Sequence, residues 1–148
     1  MAVLRWRSWV AAPIDEVFAF FDDPHNLARL MPPPATIRVE SIDPAPPQAG
    51  SVFTFCYGMG PIQRTWVVRL LDRIENERFV DETVTGPLRV FHHSHVFSPA
   101  NPGTWIVDTV EYRVGPGGGI GLVVDWLAGW VMRATFVWRG MRQRQLLR

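Results

Sequence analysis

Lysine is absent from this 148-residue chain: all fifteen of its basic residues are arginine. A lysine Schiff base and a phosphate loop with its lysine are both excluded. Cysteine is nearly absent too. With Cys56 alone, no internal disulfide and no paired-cysteine metal or redox motif can form, which fits a reducing, cytoplasmic setting. Cys56 lies in an apolar run and reads as a small core hydrophobe. A net charge of +1 provides no broad basic footprint, so nucleic acid is not an expected partner. The opening MAVLRWRSWV carries Arg5 and Arg7 within its apolar stretch and forms neither a signal-peptide core nor a membrane span. Gly-x-Ser-x-Gly and His-Glu-x-x-His are missing. Gly117 to Gly121 opens a helix, but Leu122 stands where a dinucleotide fingerprint needs its last glycine.

Aromatics are what the chain has in quantity, with seven Trp and nine Phe, so a large aromatic interior is expected. The length fits one domain over residues 1–148. Val3 to Val10 reads as a strand. Ala12-Pro13-Ile14-Asp15-Glu16 looks like a helix start, with proline early and acids in the first turn. Asp23-Pro24 ends that helix, and a second short one from His25 to Leu30 stops at three prolines. Strands then follow in series from Thr36 to Val114, and Ile120 to about Gln145 forms a helix of roughly 39 Å. That helix is apolar almost all round as far as Trp138, so it is either buried on several sides or covers a partner surface, and it is a candidate for homodimer contact. Asp125 and Arg133 interrupt its apolar run, so stable membrane insertion is not expected. Gly129 and Gly140 mark places of close packing. The arginines near its end, from Arg139 onward, complement the helix dipole.

The centre of the chain is Arg78 to Pro99, a hairpin turning at Thr85-Gly86-Pro87-Leu88. In its second strand Phe91, His93, His95 and Phe97 share one face, because side chains alternate with period two. If the following loop is short, His95 pairs with Asp108, His93 with Val110, and Phe91 with Tyr112. His95 and Asp108 are then the candidate catalytic pair, with the carboxylate fixing the imidazole tautomer and raising its pKa. Either Asp81 or Glu82 can join them, but not both, since a one-residue slip exchanges them. Trp66, Phe79, Phe91, Phe97, Tyr112 and, on the helix, Trp130 are candidate cavity walls around Asp81, His93, His95 and Asp108. With Asp108, His93 and His95 make a possible three-ligand metal site, but a lone His-x-His is more often structural, because a metal needs ligands that converge from several strands. Neither a metal nor a cofactor is expected.

A strand, two short helices, about six antiparallel strands and a long last helix follow one another in the order of the helix-grip fold. With that order in place, Ala12 to Phe18, Asn26-Leu27, Met31-Pro32-Pro33, Arg78 to Glu82, Gly86-Pro87, Phe91 to Phe97 and Asp108 to Tyr112 resemble the START-related superfamily (SRPBCC), which includes birch-pollen-allergen-like proteins, polyketide cyclases and lipid-transfer domains. The resemblance covers nearly the whole chain. It implies an α+β fold in which a curved sheet of about seven strands wraps a long C-terminal helix around a cavity for a hydrophobic ligand. Three functions follow as expectations. The first is a non-catalytic binder of a lipid-like or aromatic molecule; the second is a cyclase, aromatase or dehydratase using His95 with Asp108 or Asp81; the third is an interaction module acting through the helix.

Overall fold

The computed structural model describes residues 2–148. The elements run β1 (Ala2–Val10), α1 (Ile14–Asp22), a 3₁₀ segment (Pro24–Leu30), β2 (Ala35–Asp43), β3 (Val52–Met59), β4 (Ile62–Ile74), β5 (Arg78–Thr85), β6 (Val90–Pro99), β7 (Thr104–Arg113) and α2 (Gly119–Leu146). They form one seven-stranded antiparallel sheet in the order β1-β7-β6-β5-β4-β3-β2, the α+β helix-grip architecture. After β1, α1 and the 3₁₀ segment carry the chain to the far edge. A meander from β2 to β7 then returns it to β1.

The local reasons are visible in the residues. Pro13 precedes α1 in an extended conformation and accepts Val17 N–H, while Val17 and Phe18 turn inward. Asp23 caps the 3₁₀ segment by accepting His25 N–H. At the end of α1, Asp22 takes a bidentate pair from Arg73 of β4, both contacts at 2.7 Å, which fixes the helix over the sheet. The main core lies under α1, where Phe18 meets Phe79 and Phe97 edge to face. Burying each such ring is worth about 1.5–3 kcal/mol. Pairing of β4 with β5 is irregular at Val67/Val68 and Leu70/Asp72, and that of β2 with β3 at Val39/Ser41, the kind of interruption that bends a strand and increases its twist.

Helix α2 is less deeply held than its apolar composition implies. Its inward stripe runs through Gly121, Asp125, Phe136, Gly140 and Gln143, spacings of three, four, seven and eleven residues that keep one face toward the sheet. Asp125 Oδ1 accepts the backbone N–H groups of Val114 at 2.7 Å and Gly115 at 3.1 Å, joining the helix to the end of β7. Those two donors hold its carboxyl below the usual carboxylate range. Farther along, Ser8 donates to Gln143 Oε1 at 3.2 Å in a buried contact. Gly129 is a point of close approach, since a Cβ there would lie 2.8 Å from Tyr112 Oη. At Gly140 the nearest neighbour, Trp6 Nε1, is at an ordinary 3.8 Å, so close packing is not the reason for that glycine.

Candidate functional site

The predicted pairing of β6 with β7 is the one observed: His95 faces Asp108, His93 faces Val110 and Phe91 faces Tyr112. On the other side of β6, Asp81 of β5 faces His93 while Glu82 faces His92. Asp81 is therefore the acid on the histidine face. Glu82 belongs to the outer surface, 3.5 Å from Arg69.

Three adjacent strands thus deliver Asp81, His93, His95 and Asp108 to one place. His93 Nε2 donates to Asp108 Oδ1 at 3.0 Å. His95 Nδ1 lies 2.6 Å from the same oxygen but off the line of a ring N–H bond, and Asp108 Oδ2 is buried with no protein partner. The opposite nitrogen, His95 Nε2, is 4.0 Å from Asp81 Oδ2. The imidazoles overlap with centroids 3.8 Å apart, and Phe79 covers His95 at 4.3 Å.

Electrostatics in this cluster are governed by burial. The expectation that Asp108 would raise the His95 pKa is not met, because loss of water lowers it by more than the carboxylate restores. His93 is lowered to about 4, by burial first and then by His95. Both rings are neutral at pH 7. Asp108 goes the other way: burial raises its pKa, but the two histidines together outweigh that and hold it well below the usual carboxylate range. Asp81 is pushed up to about 6, chiefly by burial.

Asp81, His93 and His95 border a cavity of about 120 Å³. Its walls are Phe20 and Phe21 of α1, Leu27 and Leu30 of the 3₁₀ segment, Phe53 and Phe55 of β3, and Trp66 and Val68 of β4, with Phe79, Asp81, Phe91, His93 and His95 from the central hairpin. Trp66 is held by donating to Thr83 Oγ1 at 2.8 Å, and Gly86 at the hairpin turn leaves room for its indole. The roof is mainly α1 and the 3₁₀ segment. From α2 only Arg139 enters.

Several expected site residues lie elsewhere. Asp108 is behind the imidazoles, 1% exposed, and meets the cavity only through them. Phe97 is packed into the core with Phe18 and Phe79. Tyr112 and Trp130 border a separate surface groove between α2 and β1, because Trp130, nine residues before Arg139, lies about half a turn round the helix from it. Arg139 was read as a charge complementing the helix dipole. Instead its guanidinium sits in the cavity over Phe136, at 5.1 Å, with Nε buried and unpaired. Burial lowers its pKa although Asp108 and Asp81 favour its charge. Its spacing from Phe136 and Gln143, three and four residues, was the available sequence signal. Phe20, Phe21 and Leu27 were also missed as wall residues; their helical spacing was legible, but not which side of the sheet they would cover.

With this geometry in view, comparison with known proteins is informative. Residues 10–139 match the family described as polyketide cyclase / dehydrase and lipid transport. The chain belongs to that family. No curated protein is significantly similar to it in sequence. Among solved structures, protein CV1439 from Chromobacterium violaceum superimposes with a TM-score of 0.76 at 16% identity, over 99% of this chain and 98% of that one. Ms6760 from Mycobacterium smegmatis gives 0.73 at 16% identity, over 98% and 90%. The di-domain ARO/CYC StfQ from the steffimycin biosynthetic pathway gives 0.75 at 13% identity, over 98% of this chain and 50% of that one. Likeness at such identities carries the fold and not the chemistry.

Proposed function

We propose that the protein binds a compact hydrophobic molecule, aromatic in character and carrying an oxygen acceptor, in the cavity roofed by α1 and the 3₁₀ segment. The observation that carries this reading is the division of the cavity wall: aromatic and aliphatic side chains on most sides, with Arg139, Asp81 and His95 at one end. Such a wall desolvates an apolar body and orients it through a few polar groups. Arg139 Nε, buried and unpaired, is a donor for that acceptor. The volume of about 120 Å³ favours a small ring system over a long acyl chain, since pockets for drug-sized ligands run to about 300–1,000 Å³. The family's description, which joins cyclase, dehydrase and lipid transport, agrees with a hydrophobic ligand.

The test is a panel of phenols, aromatic acids, quinones and short fatty acids, read by Trp66 fluorescence and by melting temperature, which rises by mass action when the folded state alone binds. A compact aromatic ligand should move both, and Arg139→Gln should weaken it. No response to any member, from protein shown by native mass spectrometry to carry no bound molecule, overturns the reading.

One observation favours a second reading, a cyclase- or dehydratase-type enzyme. Asp81, pushed up to about 6, faces a neutral His95 imidazole inside the cavity, which is an acid/base pair working near neutral pH. If the protein turns its ligand over, Asp81→Asn should lower the rate by roughly 10²–10⁴-fold while binding persists. If it only binds, the same change alters affinity and there is no rate to lose.

A further inference from the structure

We propose that Asp81, His93 and His95 form a binding site for one divalent metal ion of the zinc, cobalt or ferrous iron class. One ligand atom from each of the three residues lies within 4.8 Å of the other two. His-x-His on one strand would be weak evidence by itself. Here the carboxylate arrives from a neighbouring strand onto the same face, which is the convergence a metal requires.

Asp108 is the stronger argument. Its Oδ1 accepts from His93 Nε2 at 3.0 Å, which leaves the His93 Nδ1 lone pair free, and it lies against His95 Nδ1, out of line for a hydrogen bond, so that His95 Nε2 points away from it toward Asp81. A ligating histidine held from behind by a carboxylate is the common outer arrangement of zinc sites, because it fixes the tautomer and makes the imidazole a better donor. Two imidazole nitrogens and a carboxylate oxygen suit borderline divalent ions and not calcium or magnesium, which prefer all-oxygen sets.

The geometry needs little adjustment. A tetrahedral ion with bonds of about 2.0–2.2 Å holds its ligand atoms about 3.3–3.5 Å apart. The His95 Nε2 to Asp81 Oδ2 distance is 4.0 Å, so that pair closes by less than about an ångström, and the separations to His93, within 4.8 Å, close by no more than about 1.5 Å. All three residues border the cavity, and the fourth coordination position therefore opens onto it. Arg139, which enters the same cavity, opposes the ion by its charge without ligating it. The site does not depend on the organic ligand inferred above, since it forms from side chains alone.

Protein stripped with a chelator should be titrated with cobalt(II) alone, read by ligand-field absorption, and with zinc(II) by calorimetry. One equivalent of each should bind, zinc displacing cobalt. His95→Gln and Asp81→Asn should weaken binding more than 100-fold, and Asp108→Asn by roughly 10–100-fold as a supporting group. Arg139→Gln, which touches no ligand atom, should tighten it. His25→Ala and His92→Ala, which remove the other two histidines, should leave it unchanged. Absence of stoichiometric binding overturns the proposal, as does binding insensitive to Asp81→Asn and His95→Gln in protein of unchanged near-UV circular dichroism. Binding lost on removing His25 or His92 overturns it as well. Failure here leaves the ligand-binding reading intact, since that is read with organic compounds and without added metal.

Discussion

The two faces of α2 are reversed from what hydrophobicity alone would arrange. The inner face carries Asp125, Arg139 and Gln143 beside Phe136 and glycines, while the outer face displays Ile120, Leu122, Val123, Trp126, Trp130 and Val131. Trp126 and Trp130 are 64% and 62% exposed and meet each other edge to face at 6.3 Å. The difference teaches that fit and polar partners decided which side turned inward. Gly121 and Gly129 let the helix approach Pro116 and Tyr112, and each inward polar group near the ends finds a partner. By length and composition α2 resembles a membrane-crossing segment, yet its Asp125 carboxylate is satisfied by backbone N–H groups of this same chain.

The comparison breaks most sharply at Gly121. A side chain there would run into the Pro116 carbonyl, and backbone cannot give way as a side-chain tip can. Gly121→Leu should cost about 3 kcal/mol or more, as overpacking against rigid neighbours does, and urea denaturation would measure it. A loss below about 1 kcal/mol would mean that the inner face is not held by close fit.

Next comes the pH response of the polar cluster in chelator-treated protein. His93 has a folded pKa of about 4 against an ordinary 6.5, so as pH falls the unfolded chain takes its proton first. Its contribution is full above about 6.5 and lost as pH falls toward 4. Asp81, raised from 3.8 to about 6, acts oppositely: its penalty is full above 6 and fades as pH falls toward 3.8. The two slopes offset one another between about 4 and 6. Asp81→Asn removes one of them, so the variant's stability should rise with pH across that window by up to about 3 kcal/mol more than the parent's. Denaturation curves at several pH values would show it, and parallel profiles would contradict it.

Gln143→Leu should cost about 1–3 kcal/mol by leaving the buried Ser8 hydroxyl without its acceptor. Restoration by the double variant Ser8→Ala, Gln143→Leu would confirm that the loss is the unpaired group. The smallest effect belongs to the outer face: Trp126→Gln should change the stability of dilute protein by no more than about 0.5 kcal/mol and leave its pH profile unaltered. A loss of several kcal/mol would show that the outer face is already covered in solution.

Much of the fold was legible because its signals are local. Pro13 with Asp15 and Glu16, the Asp23-Pro24 break, the Gly86-Pro87 turn and the glycine run before α2 each act within a few residues, and each element begins or ends near them. The β6–β7 register was legible as well, since a short loop and period-two alternation leave few pairings for His95. Alternation also placed His93 and His95 on one face. It could not choose between Asp81 and Glu82, because the β5–β6 pairing ends at Glu82 and His92 and the residues that join them do not set its register by composition.

The element order, the central hairpin and the pairing of His95 with Asp108 therefore follow from signals along the chain. Only the tertiary structure decided that Asp108 stands behind the imidazoles while Asp81 faces the cavity, that α1 and the 3₁₀ segment form its roof, and that Arg139 enters it while Trp130 faces out. The physical reason is one of range. Turns, caps and alternation are set by neighbours along the chain, whereas the orientation of an apolar helix depends on which surface it fits, and that surface is assembled from β1, β7 and the 3₁₀ segment, far away in sequence.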